Sequence, residues 1–413
     1  MQFSVPYNVR FITNRLKENG YQAYPVGGCV RDTLLMRIPH DWDVTTNARP
    51  DEILEVFYDH RCIEKGRHFG TIGVISEGEQ IEVTTFRMEG TYSDMRRPDS
   101  VIYADELKDD LLRRDFTVNA MAFDEDGRVI DCFSGLSDLN NRIIRAVGDP
   151  ERRFGEDALR IMRAVRFASE LGFSIEEETK TALFKQKNLL KRIASERIFE
   201  EFKRLMLGKN VSETVHEYAD VLAVFVKDIL NIDEEKLSLI CKVLKFLPEN
   251  FSLRFAAIYI CGEIENPVSA VRDALISLKS DHVCIFDAVT IIEAFFDLND
   301  LSEVGIKRMI SRYGYRHLSE TLELKRCIFS AEGRCSEAIE FAMAKKMAED
   351  ISNSDACLFL SDLAIDGKTL ISMGMTPSPR IGEVLEMILD AVIRGEVEND
   401  KQKLIEYAVS LGV

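Results

Sequence analysis

The sequence predicts an α+β N-terminal region, a small mixed sheet with helices on it, followed by an all-α C-terminal region in an elongated, multi-domain chain. Three observations carry that expectation. β-rich runs are short and end by about residue 148, with helical patterns interleaved between them. From about residue 174 onward the apolar spacing is helical, interrupted only at Gly- and Pro-bearing joints. And 413 residues are more than one hydrophobic core usually serves.

Composition narrows the class. An apolar share of 46% is ordinary for a globular protein. No stretch is long and apolar enough to span a membrane, and Met-Gln-Phe-Ser-Val-Pro does not read as a secretory signal. The 9 cysteines are scattered, odd in number and without Cys-x-x-Cys spacing, which argues against a disulfide framework or a zinc site. Reduced thiols and a cytoplasmic location are the simplest reading. The net charge of −17 would repel RNA if it were spread evenly. It is not: residues 140–205 hold 15 Lys+Arg against 11 Asp+Glu, so any RNA contact is expected along this middle segment.

In order, Val9, Ile12 and Leu16 mark a first amphipathic helix. Residues 21–27 then read as a strand, 29–36 as a short helix and 42–46 as a strand. Gly27 and Gly28 end the first strand and let backbone approach a bulky anion. Arg31 and Asp32 follow on the helix. Asp41 and Asp43 sit two apart, so a strand presents both carboxylates on one face. Such a pair is unfavourable unless a cation lies between them, and magnesium, which bridges to phosphates, is the expected one. Alone, a Gly-Gly is usually a turn and an Asp-x-Asp a solvated strand end. In this order and spacing they are parts for a nucleoside triphosphate and a metal.

Pro50 opens a helix through about His60. Thr71–Ser76 and Ile81–Phe86 read as a hairpin across Glu77–Gln80, and Glu82 on the second strand is a candidate third carboxylate. Residues 87–108, with Arg87, Arg96 and Arg97, lack periodicity and read as a long functional loop. Over 109–123 Leu111, Leu112, Val118, Met121 and Ala122 have helical spacing, which puts Asp115 and Asn119 on one face. Those two side chains suit a ribose, and Arg113 and Arg114 suit phosphate. Asp131-x-Phe-x-Gly135-x-x-Asp138 reads as a strand, a glycine turn and a capped helix. Arg142–Gly148 reads as a short strand. Asp149-Pro150 then starts a helix expected to run to Leu171, carrying Glu156, Asp157, Arg160, Arg163 and Arg166, the last two extending a basic face. Later joints fall at Gly208–Asn210, Leu247–Asn250, Gly314 and Met373–Pro379.

Four of these strings, in this order, resemble the motifs of class II tRNA nucleotidyltransferases and bacterial poly(A) polymerases: Gly-Gly-x-Val-Arg-Asp with Asp-x-Asp, Arg-Arg-Asp-Phe-Thr-x-Asn-Ala, Asp131 to Asp138, and Glu156-Asp157-x-x-Arg160. The resemblance is strong over residues 21–205. It implies a palm-like catalytic head over 1–138, a neck with the base-recognition helix over 139–206, a helical body over 207–315 and a tRNA-gripping tail over 316–413.

The resemblance also implies roles. Asp41 and Asp43, with Glu82, would hold two magnesium ions that activate the primer 3′-hydroxyl and neutralise the triphosphate. Gly27, Gly28 and Arg31 would meet phosphates, Arg114, Asp115 and Asn119 the nucleotide's ribose and phosphates, and Arg163 and Arg166 the triphosphate or primer end. Asp131 and Gly135 would form a hinge between head and neck. Asp157 and Arg160 would pair with the base, steadied by Glu156. Arginine can donate to N3 and O2 of cytosine or N1 of adenine while aspartate accepts from the amino group; uracil and guanine present a donor where the arginine donates. Each mispaired edge costs about 1–3 kcal/mol in a desolvated site.

The implied function is addition of CCA to the tRNA 3′ end and acceptor arm from CTP and ATP, with no obligate protein partner. A poly(A) polymerase, an enzyme adding only CC or only A, and an inactive RNA-binding module are the rivals. The modest basicity and Glu64–Thr71 favour CCA addition over poly(A) synthesis, the full-length loop at 87–108 disfavours CC-only, and the intact Asp41 and Asp43 disfavour an inactive module.

Overall fold

A computed structural model describes residues 5–89 and 101–412. The chain forms two compact units, Met1–Asn210 with Tyr218–Phe225, and Val211–Glu217 with Val226–Val413. The expected head and neck lie in the first unit; the expected body begins there and, with the tail, fills the second.

In the first unit α1 (Tyr7–Glu18) buries Val9, Ile12 and Leu16, as their spacing requires. A five-stranded mixed sheet follows, built from β1 (Ala23–Pro25), β2 (Asp43–Thr46), β3 (Cys62–Ile63), β4 (Thr71–Ser76) and β5 (Glu79–Thr85) in the order β1-β2-β5-β4-β3. Only β2 and β5 run parallel. In β5 Ile81, Val83 and Thr85 are buried while Glu82 is exposed, the alternation of a strand with one face on the core. The β4–β5 turn uses Glu77 and Gly78 at φ 53° and 84°, the left-handed pair that a tight hairpin demands. Helices α2 (Gly28–Leu34) and α3 (Pro50–Val56) lie between strands, and Pro50 opens α3 as expected.

Three local expectations are revised. The stretch 87–108 is not structureless throughout: β6 (Arg87–Glu89) and β7 (Val101–Tyr103) pair antiparallel at its two ends. The helical spacing over 109–123 does not give one helix. Helix α4 (Leu107–Leu112) ends early, Phe116 bridges to Ala146, and Thr117–Asn119 make a 3-10 turn before β8 (Met121–Phe123). The cause is competition for backbone donors. The Phe116 amide donates to Asp115 Oδ1 (2.8 Å) and the Thr117 amide to the Arg145 carbonyl (2.9 Å), so neither enters a helical ladder.

After β9 (Val129–Asp131), α5 (Gly135–Asn141) and β10 (Ile143–Ile144), the third revision falls at Asp157. The single helix expected over 150–171 is two, α6 (Pro150–Glu156) and α7 (Leu159–Leu171), with Asp157 extended between them at φ −139°, ψ 103°. Asp157 Oδ1 accepts from the Leu159 amide (3.0 Å), so the side chain replaces a lost backbone acceptor at the new helix start. Strand β11 (Ser174–Ile175) pairs parallel with β10. Then α8 (Glu177–Gln186) and α9 (Ser195–Met206) close the unit, with α9 burying Ile198, Phe199, Phe202, Leu205 and Met206.

The next helices are α10 (Val211–Glu217), of the second unit, and α11 (Ala219–Leu222), of the first. The second unit continues through α12 (Glu234–Phe246), α13 (Phe251–Cys261), α14 (Pro267–Ser277), α15 (His282–Asp297), α16 (Glu303–Ala331), α17 (Cys335–Ser352), α18 (Gly367–Ser372), α19 (Arg380–Ile393) and α20 (Lys401–Ser410). Side-chain caps from Asp233, Asn250, Asp281, Ser302, Asp366 and Asp400 start six of them. Gly314, at φ 77°, kinks α16, and the other expected joints fall between helices. One apolar core joins α15, α16 and α17, and another joins α18, α19 and α20. No described helix is long and apolar enough to cross a membrane.

Candidate active site

The predicted site residues converge on the first unit. Asp43 begins β2 and stands in register with Glu82 on β5. Asp41 lies just before the strand and is exposed. Burial pushes the Asp43 carboxyl up; Arg114 pulls it down, and Glu82 and Asp41 push it up again. The three carboxylates thus crowd one another without closing a cage: among the described residues no three His, Cys, Asp or Glu side chains are gathered to hold a metal. The donors are all hard oxygens, and a divalent cation would relieve the repulsion on Asp43, so the residues fit magnesium.

Beside them, Gly27 has φ +91°, and a Cβ there would stand 2.6 Å from Arg114 Nη1. The φ favours glycine, and any larger side chain would push the Arg114 guanidinium aside. Arg114 is tethered to Asp110, which is fully buried and also meets Arg113 and Thr45 Oγ1 (3.1 Å). Arg31 forks onto its neighbour Asp32 (2.9 Å to each oxygen) and donates Nη1–H to Asn119 Oδ1 (2.7 Å).

Asn119 in turn donates to Asp115 Oδ1 (3.1 Å), and Arg163 Nε–H donates to Asp115 Oδ2 (2.7 Å). The expected pairing of Asp115 with Asn119 therefore exists, but a 3-10 turn makes it rather than a helix face. Burial raises the Asp115 carboxyl, yet Arg163 and the Asn119 amide outweigh it and hold it well below the usual carboxylate range. The guanidinium carbons of Arg31, Arg163 and Arg166 lie 5.0, 5.5 and 4.1 Å from the ring centre of buried Phe167.

Arg166 departs from the expected basic face. It is 1% exposed and paired with Glu201 at 2.8 Å and Glu170 at 3.6 Å. Burial lowers its pKa to about 10, which leaves it charged at neutral pH. Arg153 and Arg160 are buried too, so the surface share of the basic excess over 140–205 is smaller than the sequence suggests.

At the α6–α7 break, Glu156 Oε2 accepts from Arg153 Nη1 (2.8 Å) and Arg160 Nη1 (3.2 Å). Arg160 Nη2–H also donates to the Arg113 carbonyl (3.1 Å), and Arg153 donates to the carbonyls of Leu112 and Val147. These bonds lock the break onto the end of α4. Asp157 Oδ2 faces Arg197 Nη2 on α9 at 3.4 Å.

The hinge candidates form a tight joint. Asp131 accepts from the amides of Phe133, Gly135 and Leu136, and a Cβ on Gly135 would stand 2.2 Å from the Thr117 carbonyl. Arg87 donates to the Phe69 carbonyl at the base of the loop. Arg96 and Arg97 lie outside the described residues.

Sequence reasoning missed Asp110, Arg153, Phe167 and Arg197. Asp110, three before Arg113 and four before Arg114, was detectable as a helical ion-pair spacing. Nothing local marks Arg197, which is 40 residues from its partner. In the second unit folding also brings His317 Nε2 to 2.9 Å from Asp287, beside Arg316, a pair with no His-Asp dipeptide to announce it.

A mixed sheet with carboxylates at one strand start, a glycine turn and an Asp115–Asn119 pair held by arginines is the arrangement of a nucleotidyltransferase head. Residues 23–145 match the family model described as the Poly A polymerase head domain. Residues 172–221 match the probable RNA and SrmB-binding site of polymerase A, and 246–408 a putative tRNA nucleotidyltransferase domain 2. A CCA-adding enzyme of Lactobacillus delbrueckii subsp. bulgaricus is 37% identical over 406 residues, 96% of each chain. That of Lactobacillus helveticus is 36% identical over 97% of this chain and 96% of its own. The crystal structure of the Bacillus stearothermophilus CCA-adding enzyme in complex with CTP superposes with a TM-score of 0.80 at 30% identity, covering 98% of this chain and 97% of that one. The Thermotoga maritima CCA-adding enzyme complexed with tRNA shares the fold, at TM-score 0.67 and 23% identity over 98% and 94% of the two chains. This chain belongs to the family of CCA-adding enzymes.

Proposed function

We propose that the protein adds and repairs the 3′-terminal CCA of tRNA without a nucleic-acid template, using CTP and ATP and releasing pyrophosphate. The observation that carries this reading is the α6–α7 break, which leaves Asp157 extended and Arg160 in the first turn of α7, near enough to Asp115 to lower its pKa. Relatives matched over nearly the whole chain are CCA-adding enzymes, which favours this reading over poly(A) synthesis on the same head.

The primer 3′-hydroxyl attacks the α-phosphorus in line and pyrophosphate leaves. Asp41 and Asp43, with Glu82 alongside, would hold two magnesium ions, which when bound supply charge neutralisation for the triphosphate and activation of the hydroxyl. Gly27 and Gly28 give the phosphates close access to backbone, and Arg31 and Arg114 supply positive charge there. Asp115 and Asn119 read the ribose, with Arg163 holding Asp115 in place. Arg160 donates to the acceptor edge of cytosine or adenine and Asp157 accepts from its amino group. Glu156 and the Arg113 carbonyl fix the Arg160 guanidinium before any nucleotide arrives. Buried Arg166 acts as a strut between α7 and α9 rather than as a phosphate ligand. We place the reaction in the cytoplasm, in keeping with 9 free cysteines.

The test is stepwise. On tRNA lacking CCA, labelled CTP alone should give two additions; on tRNA ending in CC, labelled ATP alone should give one. Repeated ATP incorporation, or uptake of UTP or GTP at comparable rates, would refute the reading.

A further inference from the structure

We propose that Arg197, on α9, is a positioning residue for base choice. The inference rests on the proposed pairing of Asp157 with the incoming base.

Asp157 is the weakest-held member of that pair. Arg160 is fixed by the Arg153 and Arg113 carbonyls and by Glu156. Asp157 has left the helical conformation; its backbone still donates to the Arg153 carbonyl (3.3 Å) and accepts from the Arg160 amide (3.0 Å), but these bonds do not aim its side chain. One carboxylate oxygen is anchored by the Leu159 amide; the other would be free to rotate except for Arg197 Nη2 at 3.4 Å. A carboxylate aimed by two donors from different directions has one orientation, whereas one donor leaves it a swivel.

The geometry of Arg197 suits that task. Its side chain is 27% exposed and that of Asp157 18%, so the contact is sheltered from water but open to a ligand. Its second terminal nitrogen, Nη1, is buried and has no hydrogen-bond partner. A buried donor without an acceptor is unfavourable, and it marks a guanidinium held at this place by something other than its own full satisfaction. The residue also ties base choice to α9, an element that no motif of the head includes. When the Asp157 carboxylate is aimed, it accepts from an amino group and rejects a carbonyl at the same edge. Released, it can turn away, and the penalty against uracil or guanine falls.

The experiment compares wild type with Arg197→Ala, Arg197→Lys and Asp157→Ala. kcat and KM are measured for CTP and UTP on tRNA lacking CCA, and for ATP and GTP on tRNA ending in CC. Arg197→Ala should lower the CTP-to-UTP and ATP-to-GTP ratios of kcat/KM by about tenfold, in the direction of Asp157→Ala but less far. Arg197→Lys should recover part of the loss, since it keeps the charge without the fork. A merely structural role would lower all four triphosphates together and leave both ratios unchanged, which overturns the proposal. Unchanged ratios in Arg197→Ala beside collapsed ratios in Asp157→Ala defeat the role of Arg197 alone. Unchanged ratios in Asp157→Ala defeat the base-pairing reading itself. Should Arg197→Ala fail to fold, Arg197→Gln takes its place, keeping a polar side chain without the charge: both ratios falling about tenfold supports the proposal, and wild-type ratios overturn it.

Discussion

Phe167 sits among arginines of the proposed site. Three arginines surround its ring, and Phe116 packs edge-on against it at 5.8 Å. Each cation–π contact contributes about 0.5–2 kcal/mol, depending on how dry it is. Phe167→Leu keeps the volume roughly but removes the ring's negative face. The expected outcome is a KM for CTP raised by about three- to tenfold with a smaller change in melting temperature, read by steady-state kinetics beside thermal unfolding. At the other end of the site, Asp43→Ala removes a carboxylate that is crowded but essential to the proposed metal site. Nucleotide addition should fall by at least about a thousandfold while tRNA affinity in a filter-binding assay stays within about twofold. Retained turnover would reject the assignment. The types and order of Asp41, Asp43, Asp115, Asn119, Asp157 and Arg160 were readable from sequence because each motif is local. Phe167 was not, because a ring on an apolar face looks like core, which it also is.

Elements, by contrast, were misjudged where side chains took over backbone bonds. Periodicity counted 109–123 and 150–171 as unbroken helices. It cannot register that Asp115 and Asp157 bind nearby amides and end the ladder. Both breaks fall on proposed nucleotide-binding residues, which is where local rules are expected to yield to function. The joint at α5 shows the opposite case. A capped helix was expected there, and the cap forms: Asp131 satisfies three backbone amides at once, while the N-cap residue Ser134 makes no side-chain cap bond. Losing such a cap costs about 1–2 kcal/mol. Asp131→Ala should therefore lower the urea midpoint by a corresponding amount and, if the joint is a hinge, depress kcat more than KM. Of the sheet, the β4–β5 hairpin was legible, since alternation in β5 and the Glu77–Gly78 turn are both written locally; the strand order, the parallel β2–β5 pairing and the short β3 were not, because they pair residues far apart in sequence.

Across the whole molecule, the second unit carries an acid-sensitive ion pair of its own. In the second, Glu323 pairs with Arg326 (2.5 Å) and Lys345 (2.8 Å). Burial raises its carboxyl, but these cations outweigh it and bring it from 4.5 to about 2. A folded pKa below the unfolded one means the unfolded chain binds more protons as pH falls. The stabilisation is complete above about pH 4.5 and disappears as pH approaches 2. Wild type should therefore be more stable than Glu323→Gln at pH 6, and the gap in their urea midpoints should narrow steadily from pH 4.5 toward 3. The helical character of this unit was legible, and so were its joints at Leu247–Asn250 and Met373–Pro379 and the kink at Gly314; the other helix boundaries, set by caps such as Asp281, Ser302 and Asp400, were not. Its role was not, because nothing in an apolar stripe says what the opposite face touches.

On the proposed reading, the chemistry at Asp41 and Asp43 and the base edge at Asp157 and Arg160 together make the molecule add a defined sequence rather than a tail. The most direct measurement of that claim is to incubate tRNA lacking CCA with all four triphosphates at equal concentration and magnesium, then sequence the 3′ ends after prolonged reaction. The structure predicts one CCA on each molecule, with uridine and guanosine absent and no growth past the terminal A. Oligo(A) tails, an arrest at CC, or mixed nucleotides at the new end would contradict it.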